Sequence, residues 1–214
     1  KIVTKNQLLH GTVIREDTDE RKLAVVFTGH EFADGGKAII DALKQEKIKA
    51  SFFFTENFYR KKSFQKVIQQ LKSQGHYVGA AMDTHLLYCD QVKNDSLVIS
   101  KEQFTQSLHN NYVAMKSFGL SKSSSPYFLL PCTCATDNMS KWSESIGLQP
   151  INYTSGTMSD ADDTTPNMAN YLNSDTIYQS IIHKAVDLPQ GLNGYILLFH
   201  IGAAPSRTDR KSTR

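Results

Sequence analysis

The chain has 214 residues, 40% of them hydrophobic and 21% charged, with only 12 glycines and 6 prolines. That composition fits one good-sized globular domain able to bury roughly 70% of the surface its unfolded chain exposes, and it excludes disordered, collagenous and fibrous classes. The formal net charge of +3 is too small to imply nucleic acid or a membrane surface as partner.

The predicted elements alternate in type along the chain. Leu23–Thr28 reads as a strand buried on both faces, and Lys37–Lys47 follows with Ile39, Ile40 and Leu43 on one helical face. Ile48–Thr55 is a second buried strand. Ser63–Gln74 places Phe64, Val67, Ile68 and Leu71 at helical spacing, with Gly75 suited to the C-terminal cap. Tyr77–Ala81 is a third, weaker strand. Ser100 opens the next helix, and Gln103 three residues later completes a capping box. Tyr127–Leu130 is a strand, Asp137–Ile146 a short helix, Leu148–Tyr153 a strand, Ser174 the cap of a helix bearing Ile177 and Ile181, and Tyr195–Ile201 the last strand. The apolar runs Ala24–Phe27 and Tyr195–Phe199 are strand-length, far from the roughly 18 residues of a membrane span.

Strands that are apolar on both faces and alternate with helices predict a parallel sheet covered by helices. Six such strands fit an open doubly wound sheet or an incomplete barrel, and either architecture places a site at the carboxyl ends of the strands. Three cysteines, Cys89, Cys132 and Cys134, make no disulfide framework. The chain opens at Lys1 with neither a methionine nor a signal-peptide pattern, as expected of a mature or trimmed chain.

Chemistry-bearing residues collect at the predicted strand ends. The first strand runs into His30, Glu31 and Asp34, the third into Asp83 and His85, and the last ends at His200. A His and carboxylate set on one rim is what a divalent metal needs to polarise a carbonyl and activate water. The long acidic loop Thr154–Thr165, with Asp160, Asp162 and Asp163, is a candidate functional loop. His76, His10, His109 and His183 read as structural. Phe58, Tyr59 and Tyr88 are read as loop aromatics that either stack on sugar rings or pack along the rim. A glycoside hydrolase would need two flanking carboxylates, for which Glu31 and Asp162 are the nominees, but no spacing asks for it.

Three separated segments resemble the polysaccharide deacetylases. Ile39–Phe53 is similar to the family's ILDxLKKxxIKATFF, Gly75–His85 to GHEIGNHTYSH, and Tyr195–His200 to the strand ending in LLLH. Phe27–Gly36 and His85–Asp90 resemble a gut-bacterial branch with degenerate motifs. The resemblance covers roughly Leu23 to Gly202. It implies a distorted (β/α) barrel and a divalent metal, commonly zinc, held by one Asp and two His. It also implies an Asp base, a His acid, and removal of acetyl groups from amino sugars or acetylated carbohydrates. Carried over residue by residue, the family's two first-motif aspartates fall on Thr28 and Gly29, and its first metal His on Ala81. Its second metal His falls on His85, and its fifth-motif His on His200. The third motif reads Leu129-Leu130-Pro131-Cys132-Thr133.

His30, Glu31 and Asp34 are the nearest substitutes for the two lost aspartates, so the metal is expected at His30 and His85, catalytic roles at Glu31, Asp34, Asp162 and His200, and substrate contacts at Tyr88, Pro131 and Cys132. Residues 1–22 are expected to form an N-terminal extension packing on the barrel, 23–202 the deacetylase-like domain, and 203–214 a basic tail. The partner implied is a carbohydrate, not nucleic acid, and the location extracellular or periplasmic. Two functions stay open: a hydrolase weakened by motif loss, and a silent carbohydrate-binding relative. The residues after His200 offer no apolar periodic segment, so an incomplete α/β barrel with a gap beside the last strand is expected.

Overall fold

A computed structural model describes residues 5–82, 98–131 and 135–209. In chain order the elements are β1 (Gln7–Leu9), β2 (Thr12–Arg15), β3 (Ala24–Gly29), α1 (Gly36–Gln45), β4 (Ser51–Phe54), α2 (Glu56–Arg60), α3 (Gln65–Ser73) and β5 (Tyr77–Ala81). They continue with α4 (Lys101–Met115), β6 (Tyr127–Leu129), α5 (Asp137–Ser145), β7 (Gln149–Ile151), α6 (Ser174–Asp187) and β8 (Ile196–His200). A short 3-10 segment, Ser159–Asp163, lies in the acidic loop. No described helix is long and apolar enough to cross a membrane.

The eight strands among the described residues form one curled sheet in the order β1-β2-β7-β6-β5-β4-β3-β8. All pairings are parallel except the β1–β2 hairpin. Strand side chains alternate between faces, and here both faces are buried. Val26, Phe53, Ala81, Leu129, Ile151, Ile196 and Leu198 make the inner cluster of the barrel. Their neighbours Phe27, Phe52, Phe54, Val78, Ala80, Phe128 and Leu130 face outward, into the layer shared with the helices. That two-sided burial is why these strands read as near-continuous apolar runs.

The helices carry the caps their sequences supply. Ser100 and Gln103 form the expected reciprocal capping box on α4. Thr55 caps α2, its side chain accepting from the Phe58 amide, and Glu56 pairs with Arg60 one turn on at 2.7 Å. Here the structure corrects the sequence reading. Phe58 and Tyr59 are not loop aromatics on the rim but core residues, 0% and 2% exposed, and the Tyr59 hydroxyl donates to the Gly79 carbonyl at 2.7 Å. Neither presents a ring to solvent.

Among the described residues β8 pairs only with β3, so the described sheet ends there and the barrel is incomplete beside it. The far edge curls round to meet it at one end. Thr154, just after β7, donates its amide to the Ile196 carbonyl at 2.9 Å. Its hydroxyl accepts from the Ile196 amide at 3.0 Å and donates to the Ile14 carbonyl at 2.5 Å. Beside it the Glu16 amide donates to the Gly194 carbonyl at 2.7 Å. The seam is thus stitched at the amino end of β8 and open further along.

Candidate functional site

Among the described residues that the sequence singled out, His30 and His200 lie at the carboxyl ends of β3 and β8. β8 ends at His200, which lies beside Thr28 in the β3–β8 register. The Ile201 amide donates to the Thr28 carbonyl at 2.8 Å, so the preceding amide, that of His200, faces away from β3 along the free edge. The acidic loop meets it there. Asp162 accepts from the His200 amide at 2.9 Å and from His200 Nδ1 at 2.6 Å. One carboxylate therefore satisfies an edge amide and orients the imidazole. Asp163 lies 3.6 Å from His200 Nε2. The His200 and Asp162 side chains are each 22% exposed.

The electrostatics of the pair follow from this placement. Burial works against a charged imidazole, but the Asp162 hydrogen bond and charge, helped by Asp163 and Asp160, outweigh it and raise His200 above its usual pKa. Burial also lifts Asp162 above the ordinary carboxylate range, although the His200 ring and amide pull it the other way. The pair holds its proton to higher pH than a free imidazole. Such a group can donate a proton to a leaving amine or alcohol near neutral pH.

The other described nominees, His30, Glu31, Asp34 and Pro131, follow the carboxyl ends of β3 and β6. His30, just past β3, is half-buried, and its Nδ1 lies 2.8 Å from Thr55 Oγ1 at the end of β4. Glu31 and Asp34 are exposed on the loop leading to α1. The Glu31 carbonyl accepts from Lys61 at 2.8 Å. Pro131 is buried at the end of β6. His85, Tyr88 and Cys132 lie outside the described residues. Asn111 was not singled out from sequence. It is buried on α4 and donates to the Phe54 and Ala81 carbonyls at 3.1 and 2.7 Å, tying the ends of β4 and β5 together.

The described residues do not fit a three-ligand metal centre. No three of their His, Cys, Asp or Glu side chains converge on a point. Ala81 sits in the inner cluster, 3% exposed, and offers no donor. Gly29 faces outward into the core. A Cβ there would meet Ile201 Cγ2 at 2.7 Å and Phe58 Cε2 at 2.8 Å, so a carboxylate at this position would point among hydrocarbon, away from the barrel mouth.

Comparison with known proteins bears on the same scaffold. The family model described as polysaccharide deacetylase matches residues 15–151. No curated protein matches the chain by sequence. Among solved structures, wild-type BA3943, a CE4 family pseudoenzyme from Bacillus anthracis, is 15% identical with a TM-score of 0.67. The match covers 96% of this chain and 61% of that one. A BA3943 mutant described as having restored enzymatic activity aligns with a TM-score of 0.68 at 15% identity, covering 96% of this chain and 63% of the other. The chain therefore spans less than two thirds of these relatives. The chitin deacetylase of the fungal pathogen Colletotrichum lindemuthianum is 16% identical with a TM-score of 0.65, over 97% of this chain and 84% of its own. Identities this low speak to the fold, which all three share.

Proposed function

The chain belongs to the polysaccharide deacetylase family, and from that premise we propose that it is a catalytically silent relative that binds acetylated carbohydrate at the carboxyl mouth of its barrel. One observation carries this reading: positions 28, 29 and 81 hold Thr, Gly and Ala, and comparison with the family motifs assigns them the base, the metal carboxylate and the first metal histidine. A threonine hydroxyl is no general base near neutral pH, and glycine and alanine hold no metal. Disturbing a second-shell partner alone typically costs 10–100-fold in metal affinity or activity, and losing a ligand outright is worse. An extracellular or periplasmic location is part of the proposal, because the polymers such proteins act on lie there.

The test is acetate release from N-acetylglucosamine oligomers and from O-acetylated sugars, run beside calorimetric binding of the same compounds. Binding with no acetate above background is expected. Acetate release by the wild-type chain would overturn the proposal.

A second reading is favoured by the His200–Asp162 pair, the orientation a proton donor to a leaving group needs. In that reading the protein is a hydrolase removing acetyl groups. His30 and His85 would then hold zinc or another divalent ion, Glu31 or Asp34 would serve as base, and Tyr88, Pro131 and Cys132 would contact substrate. Metal analysis of the purified protein separates the two, since a silent binder retains no stoichiometric metal.

A further inference from the structure

Arg207 belongs to the segment that reads from sequence as a basic tail, yet it is 4% exposed. A buried guanidinium needs its donors satisfied, and here they are satisfied by the loop that carries the acidic pair. Arg207 Nη1 donates to the Thr164 carbonyl at 2.5 Å and approaches the Thr164 hydroxyl at 3.4 Å and the Ala161 carbonyl at 3.5 Å. Nη2 donates to the Leu172 carbonyl at 3.0 Å and approaches the Ser174 hydroxyl at 3.4 Å. Asp209 stands 3.4 Å from Arg207 Nε and accepts from the Ser174 amide at the start of α6 at 2.7 Å. The guanidinium also lies 5.5 Å from the Tyr171 ring centroid.

These contacts bracket Asp162. The Ala161 and Thr164 carbonyls lie on either side of it, at the end of the 3-10 segment. Arg207 and Asp162 also border the same cleft of about 340 Å³, with His200, Phe199 and Ile39 on its walls. The loop's regular structure is confined to that five-residue 3-10 segment, where Ala161 donates to the Met158 carbonyl and Thr164 to the Ala161 carbonyl at its two ends. A carboxylate held 2.6 Å from an imidazole on such a loop needs an external brace.

We propose that Arg207 is a positioning residue for the His200–Asp162 pair, clasping the acidic loop so that Asp162 stays on the imidazole. It touches neither partner of the pair and acts through the Ala161 and Thr164 carbonyls. Asp162 and Asp163 lie 2.6 and 3.6 Å from the two imidazole nitrogens, and Asp160 adds its charge from the same segment, so the clasp sets the charge that His200 feels. The proposal holds whether the mouth hydrolyses or only binds its carbohydrate. It rests on the pair's geometry and not on that reading.

The experiment follows the His200 imidazole by NMR across pH in wild type, Arg207→Gln and Arg207→Lys, with His200→Asn assigning the signal. In Arg207→Gln the titration midpoint should fall towards that of an ordinary histidine. Arg207→Lys, which keeps the charge but not the fork, should recover part of the shift. Ile68→Val, a core truncation on α3, lowers the melting temperature by another route and should leave the midpoint in place. A melting temperature that falls in Arg207→Gln with an unmoved His200 midpoint would show that Arg207 only fastens the chain end, and would overturn the proposal. Should Arg207→Gln fail to fold, Asp209→Asn loosens the clasp from its other side, and the same two outcomes decide.

Discussion

Asp162 does two jobs with one carboxylate, and their separation is measurable. It closes the free edge of β8 at the His200 amide and it holds Nδ1 of the ring. A histidine whose folded pKa is raised adds stability that is fully present below its unfolded pKa of about 6.5 and lost as pH rises through the folded value. In Asp162→Asn the ring loses its anionic partner while burial persists, so the His200 midpoint should fall and this pH-dependent stability should shrink. The cost of losing a hydrogen bond to a charged group is about 1.5–3 kcal/mol, read from urea unfolding below pH 6. Stability curves that stay parallel between wild type and variant from acid to neutral pH would refute the assignment. His200 and Asp162 were both legible in the sequence, one as a strand terminus and the other as part of an acidic loop. Arg207 was not, because a lone arginine in a polar tail carries no periodicity and its burial depends on the whole fold.

At the scale of elements, Thr55 joins three parts of the site. It follows β4, caps α2 and lies against His30. It is 2% exposed, so valine nearly preserves its shape while removing the hydroxyl. Thr55→Val should cost about 1–2 kcal/mol through the lost cap and the lost partner of His30. Chemical denaturation measures it, and a change within about 0.5 kcal/mol would mean that the hydroxyl does not organise this corner. The same corner shows where pattern reading runs out. Six of the seven parallel strands, all but β2, announce themselves because burial on both faces leaves unbroken apolar runs. Helix α2 has only five residues, too few for helical spacing to repeat, so Phe58 and Tyr59 read as loop aromatics. Strand β2, Thr-Val-Ile-Arg, is similarly short and half-buried. Its place in the sheet comes from pairing with β7 and not from any pattern of its own.

Across the whole molecule, the open seam explains why the site stands where it does. A parallel barrel that closed beside β8 would pair its edge amides with another strand. Here side chains from the β7–α6 connection take that role, Thr154 at the amino end and Asp162 at the carboxyl end. The expected gap beside the last strand is therefore present but wedge-shaped, fastened at the barrel's base and occupied by the acidic loop at its mouth. If Thr154 is the fastening, Thr154→Val leaves the Ile14 carbonyl and the Ile196 amide without their hydroxyl partner, a loss of about 1–3 kcal/mol for buried polar groups. Hydrogen exchange locates the effect. The Ile196 amide should lose protection, while the Leu197 amide, on the β3 side of the same strand, should keep it beyond the global loss of stability. Equal changes at both amides would mean that β8 frays as a unit and that the seam is held elsewhere. Protection lost at Ile196 alone would assign this point of the seam to the Thr154 hydroxyl, beside the backbone bonds from Thr154 to Ile196 and from Glu16 to Gly194, and would leave the carboxyl half of β8 dependent on Asp162, the residue that also sets the charge of His200.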